Sequence, residues 1–146
     1  MQKINEYFSV SDDAKYKLIS ENHIKALNGS EVYAREGSVV EAFKGSVVRA
    51  LEGSTVKALN GSTVKAFEGS TVKALNGSKV YALEGSYVEA YKGSEVEAYA
   101  GSYVDAKDGS KVDAFDGSTV YAFEGSIVKA LKGSFVYAKG GSIIKI

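Results

Sequence analysis

Few kinds of side chain in this 146-residue sequence could attack a carbonyl, relay a proton or hold a metal. There is one histidine, His23, no cysteine, and a serine after each of fifteen glycines, from Ser30 to Ser142. A serine becomes a nucleophile when a neighbouring base takes its proton. One histidine at the start of so long a series can serve almost none of them, so the serines read as turn residues and His23 as an exposed strand residue. Without cysteine there is neither a thiolate metal site nor a disulfide, and stability must come from packing. The glycines match neither G-x-x-x-x-G-K-S/T nor G-x-G-x-x-G, the spacings that cradle phosphate. Glu89, Asp105 and Asp113 suggest an acidic ladder able to collect cations weakly, although a solvated face explains them better. Calcium-binding β-rolls place Asp on a Gly-rich nonapeptide, whereas this repeat is an octad with Val and Ala at its fixed positions. These residues point to no enzyme, no metal and no cofactor.

The element that positions them is a repeat. Gly-Ser recurs every eighth residue from Gly29-Ser30 to Gly141-Ser142. Numbered from Gly as position 1, the octad has Val at position 4 from Val32 to Val136, then Ile144, and Ala at position 6 from Ala34 to Ala138, then Ile146. Apolar residues two apart follow the period of a strand and not that of a helix. A short period held this long indicates a solenoid, because copies stacked in register bury a face that one copy cannot. The predicted fold is all-β: a parallel β-solenoid of octapeptide repeats, one strand and one turn per octad. Glycine supplies the positive φ of the turn, Asn28, Asn60, Asn76 and Asp108 before it suit a turn, and Ser hydrogen-bonds the corner backbone.

A core of Val and Ala alone is thin, and two facing sheets close on it where a prism would leave a void. This favours two octads, sixteen residues, per coil and seven to eight coils, roughly 36 Å of rod at the strand spacing. Position 8 agrees: Glu36, Glu52, Glu68 and Glu84 share one sixteen-residue register, and Asn28, Lys44, Asn60, Asn76 and Lys92 the other. If position 7 turns inward, a three-sided coil returns.

Residues 1–22 are read as an N-terminal cap and first irregular coil, and residues 23–146 as the solenoid. Counting backwards puts Ile24 and Ala26 at positions 4 and 6, and Tyr16 and Leu18 one octad earlier. Residues 1–13, with Tyr7, Phe8 and Val10, then cap the open end, or Ser11-Asp12-Asp13 starts a short helix. At the other end Ile144 and Ile146 either plug the core or stack on another chain. Met1–Val10 has neither the pattern of a signal peptide nor that of a membrane span, which leads to an expected cytoplasmic or virion-associated location.

Positions 3, 5 and 7 share the outward parity. Position 5 reads Arg49, Lys57, Lys65, Lys73, then Tyr81, then Glu89, Glu97, Asp105, Asp113, in a chain of zero net charge. On sixteen-residue coils Arg49 lies beside Lys65 and Glu97 beside Asp113, which is unfavourable by tenths of a kcal/mol per pair. An antiparallel partner about a two-fold axis at Tyr81 matches Lys65 with Glu97 and Arg49 with Asp113. On the same side position 7 gives the apolar stripe Leu51, Phe67, Leu83, Tyr99, Phe115 and Leu131. On the opposite side Lys107 and Lys139 interrupt Phe43, Leu59, Leu75, Tyr91 and Phe123. The sequence thus predicts a homo-oligomer, an antiparallel dimer through the face carrying Leu83, with end-to-end stacking through Ile144 and Ile146 as a second mode. The competing reading makes position 7 ordinary core.

The other uses of a solenoid fit less well. Thr55, Thr63, Thr71 and Thr119 do not form the unbroken threonine rank of ice-binding solenoids, and a neutral chain lacks the charge of a DNA mimic. The basic strip Arg49, Lys57, Lys65, Lys73 is short, which argues against nucleic acid as a partner. The alternative to self-association is a binding module that engages a protein, glycan or nucleic acid through a charged or aromatic face with Tyr87, Tyr91 and Tyr103.

The unit Gly-Ser-x-Val-x-Ala-x-x, running from Gly29 to the last residue, resembles the octapeptide-repeat sequences of bacterial and bacteriophage proteins. By architecture it is more distantly similar to bactofilins, β-helical polymer-forming scaffolds. The resemblance implies a β-solenoid and carries over no catalytic residue. The expected function is a non-catalytic structural scaffold that self-associates.

Overall fold

The computed structural model describes residues 8–10, 15–19, 23–140 and 142–146, with side-chain surroundings for residues 23–140, 142, 144 and 146. Among these residues there is no helix, and eighteen short strands follow one another at one per octad through the repeat. Successive strands alternate between two parallel nine-stranded sheets. Sheet I starts at Phe8–Val10 and takes His23–Ala26 and every second strand up to Phe135–Ala138. Sheet II starts at Lys15–Ile19 and takes Glu31–Ala34 and the alternate strands up to Ile143–Lys145. The coil is therefore two-sided, and each residue lies beside its equivalent sixteen positions on, as Val80 does between Val64 and Val96.

Strand parity sets the core. Positions 4 and 6 are buried from Ile24 and Ala26 through Ala122 and Val128. Position 2 has the same parity and is buried too: Ser30 to Ser126 are 0–2% exposed. This corrects the expectation of a core made of Val and Ala alone. Each buried Ser hydroxyl donates to the position 7 carbonyl three residues earlier at 2.5–2.6 Å, so the polar atom is satisfied without water. Three small inward side chains per strand fill a two-sheet gap and leave no third wall to build.

At the corner the position 7 carbonyl also accepts the Ser N–H, closing a turn in which Gly has φ between +75° and +86°. Glycines of successive coils are bonded to each other, for example Gly77 N–H to Gly93 O at 2.9 Å. Stacking is so close that a Cβ on Gly77 would lie 2.0 Å from Asn60 Oδ1. Glycine is thus required twice over, for φ and for space.

The stack begins before the Gly-Ser signature, as expected: Phe8 pairs with Ile24 and Val10 with Ala26. Lys15–Ile19 starts in register opposite Glu31, then slips, so that Ile19 and not Leu18 stands opposite Ala34. An irregular residue in this first pairing explains the miss. Phe8–Val10 is thus a strand of sheet I, while the remainder of the expected cap and the alternative helix start at Ser11-Asp12-Asp13 lie outside the described residues. At the far end Ile144 packs partly buried against the core, whereas Ile146 is fully exposed and plugs nothing.

Candidate self-association face

The outer face of sheet II gathers the position 5 residues in one row across adjacent strands: Arg49 beside Lys65, Lys65 beside Tyr81, Tyr81 beside Glu97, Glu97 beside Asp113. Each is half-buried among its neighbours. The Arg49 guanidinium lies 5.0 Å over the Tyr33 ring and 4.0 Å from the Glu31 carboxylate. Its Nη1 is shielded from water and has no hydrogen-bond acceptor. A donor so placed is costly to leave unmatched.

A second row, at position 3, runs beside the first: Lys79, Glu95 and Lys111 are register neighbours of alternating sign. With Glu97 and Asp113 they line a shallow polar cleft. Lys79 Nζ sits 5.1 Å from the Tyr81 ring centre, and the Tyr81 hydroxyl, then Glu97, hold its ammonium above the ordinary lysine range. Sequence reasoning passed over this row, although the sixteen-residue register applied to positions 5 and 7 also aligns position 3.

Leu51, Phe67, Leu83, Tyr99, Phe115 and Leu131 lie along the edge of the same sheet, just past the strand ends, all half-buried. They are neither part of the closed core nor fully in water. Backbone bonds from this position to the previous coil, such as Leu83 N–H to Ala66 O at 2.9 Å, carry the stacking around the corner. Tyr99 and Phe115 are stacked with ring centres 5.0 Å apart and planes within 5°. The Tyr99 hydroxyl donates to Glu97 at 3.3 Å, and burial, then Glu97, raises its phenol above the usual range. Ile144 and Ile146 belong to the last strand and its end, beyond this patch.

Sheet I presents a different face. Its position 5 row contains Glu41, Lys57, Lys73, Glu89, Asp105, Tyr121 and Tyr137 as successive register neighbours. The acidic ladder proposed from sequence is therefore split: Glu89 and Asp105 are adjacent here, while Asp113 is on sheet II. The basic strip is split in the same way, Lys57 and Lys73 on sheet I and Arg49 and Lys65 on sheet II. Octads adjacent in sequence go to opposite sheets, so a run read at eight-residue spacing is never a run in space.

Tyr87, Tyr91 and Tyr103 do share this side, and two of them engage the carboxylates. Tyr87 donates to Asp105, and Tyr91 to Glu89 at 2.5 Å. Burial, then the bond to Asp105, raises the Tyr87 phenol well above the usual range. Tyr103 and Tyr121 share a hydroxyl contact of 2.9 Å, and the Tyr121 and Tyr137 rings stack at 5.1 Å. Lys107 and Lys139 interrupt the apolar edge less than their charge suggests, for each lies over the Phe123 ring, at 4.3 and 4.9 Å. Among the described residues no group of three or more His, Cys, Asp or Glu is placed to hold a metal ion.

No family model matches the chain, and no curated protein matches it. Among solved structures it is similar to the crystal structure of a TibC-catalyzed hyper-glycosylated TibA fragment. The identity is 10%, the match covers 97% of this chain and 96% of that one, and the TM-score is 0.32.

Proposed function

We propose that this protein is a non-catalytic scaffold that self-associates as an antiparallel homodimer through the outer face and edge of sheet II. One observation carries the reading, the order of charge along the row Arg49, Lys65, Tyr81, Glu97, Asp113. Within one chain this order sets like beside like, Arg49 next to Lys65 and Glu97 next to Asp113, which is unfavourable. A second copy turned about an axis along the strand Lys79–Ala82 sets Lys65 against Glu97 and Arg49 against Asp113. It also brings Phe67 against Tyr99 and Leu51 against Phe115, with Leu83 on the axis. The charges select register and orientation, and the apolar edge supplies most of the attraction.

Sedimentation velocity over a concentration series tests this. At high salt, where contacts held by exposed charge are screened, the wild-type chain is expected to run as a dimer and the Leu83→Glu variant as a monomer. An unchanged mass for Leu83→Glu overturns the reading.

A further inference from the structure

We infer that sheet I carries a second self-complementary face, and that the two faces together build an open side-by-side array of rods. The inference rests on the sheet II reading for one of its two contacts and on independent residues for the other.

The sheet I row changes character halfway along. Lys57 and Lys73 are exposed neighbours, followed by Glu89 and Asp105, followed by Tyr121. A two-fold axis midway between the strands Thr71–Ala74 and Tyr87–Ala90 sets Lys73 against Glu89 and Lys57 against Asp105 of a second copy. It sets Glu41 against the phenol of Tyr121. The position 3 row obeys the same axis by size, because Thr71 then faces Tyr87 and Thr55 faces Tyr103, small opposite large. Tyr103 is 41% exposed, so its ring has surface to offer. Each half of this face is thus the complement of the other half, which is what an isologous contact between copies requires. A foreign ligand of one charge would match only half of it.

The position of the axis has a further consequence. Lys79–Ala82, the strand that carries the sheet II axis, lies in the chain between Thr71–Ala74 and Tyr87–Ala90, half a coil from each. Both axes therefore cross the rod at the same height and run parallel to the strands on opposite faces. Two parallel two-fold axes combine into a translation perpendicular to the rod. Copies alternate up and down, their ends flush, and growth is lateral and open-ended.

Paired charge reversals test the inference. At low salt the wild-type chain is expected to form species larger than a dimer that grow with concentration, with negative-stain images of flush, side-by-side rods. Lys57→Glu with Lys73→Glu makes the four residues around the axis all acidic, and Glu89→Lys with Asp105→Lys makes them all basic. Each double variant alone is expected to stop at the dimer, and a 1:1 mixture to grow again. That rescue also shows that both variants are folded. Continued growth of either double variant alone overturns the inference, as does a wild-type chain that stops at a dimer dissociated by Leu83→Glu, a result that leaves the sheet II reading standing. At low salt Leu83→Glu is expected to stop at a dimer held by the sheet I face and dissociated by adding Lys57→Glu with Lys73→Glu; a wild-type chain that stops at that same dimer supports the sheet I contact and removes the sheet II one. A monomer at every concentration overturns both.

Discussion

Ser86 gives both its backbone N–H and its hydroxyl to the carbonyl oxygen of Leu83, at 3.0 and 2.6 Å, with its side chain 2% exposed. The same residue thus closes the turn, satisfies the corner and forms part of the core. Ser86→Ala keeps the N–H bond and loses the hydroxyl bond, so urea unfolding is expected to register a loss of about 1 kcal/mol. Ser86→Val adds bulk without a donor in a packed layer, and is expected to cost more than Ser86→Ala.

Gly85 has φ +75°, and a Cβ there would lie 2.7 Å from Glu68 Cγ and 3.1 Å from Glu68 Cα. Gly85→Ala is expected to lower stability by about 1–2 kcal/mol, since φ is wrong for Ala and the backbone below cannot retreat. Gly140, where an added Cβ meets nothing within 4 Å, is the control. Gly140→Ala is expected to leave the melting temperature nearly unchanged, and equal losses at the two sites would show that neither φ nor stacking matters.

The core admits little change in volume. Val80 and Ala82 are both 0% exposed. Val80→Ala removes two methyl groups and leaves a cavity between stacked valines, for a loss of about 2 kcal/mol. Ala82→Leu forces the sheets apart locally and is expected to cost about 1–3 kcal/mol. Chemical denaturation of the two variants decides whether the gap between sheets is as tight as its small side chains imply.

Tyr87 provides a pH prediction. Its phenol is raised by burial and by the bond to Asp105, so its neutral form is favoured in the fold. The stability it contributes is present in full below the unfolded phenol value of about 10 and is lost as pH rises from there through the folded value. Alkaline absorbance titration of the wild-type chain is expected to show a phenol that ionises late and is missing in Tyr87→Phe. Stability curves of the two proteins should converge above pH about 10.

Salt separates the two components of the sheet II contact. Screening weakens exposed ion pairs and spares apolar burial. Arg49→Glu is therefore expected to weaken the dimer strongly at low salt and only slightly at high salt, whereas Leu83→Glu should dissociate it at both. Sedimentation of the two variants at two ionic strengths, each carrying Lys57→Glu with Lys73→Glu to silence the sheet I face, checks this.

The fold was legible because one local rule recurs without interruption. Val80 and Ala82, two apart and bounded by Gly-Ser, mark strand, inward face and turn from covalent spacing alone, and the sixteen-residue coil follows from how small the inward side chains are. Ser86 shares the parity of Val88, yet its hydroxyl suggests a corner residue in water until the carbonyl that satisfies it is seen. The edge residues show a different limit. Strand parity points Leu83 and Tyr99 outward, but how far they are covered depends on the turn, which lays them half-buried beside the next coil. The sixteen-residue register does not say which side chains touch: Tyr87 meets Asp105, and Tyr103 meets Tyr121, diagonally between neighbouring strands. The sequence by itself determined period, parity and a core of small residues, since these depend on spacing within a single octad. Tertiary structure decided how deeply the outward side chains lie and which of them meet, as Tyr87 meets Asp105 and Tyr103 meets Tyr121, because these depend on the path of the turn and on side-chain reach between coils.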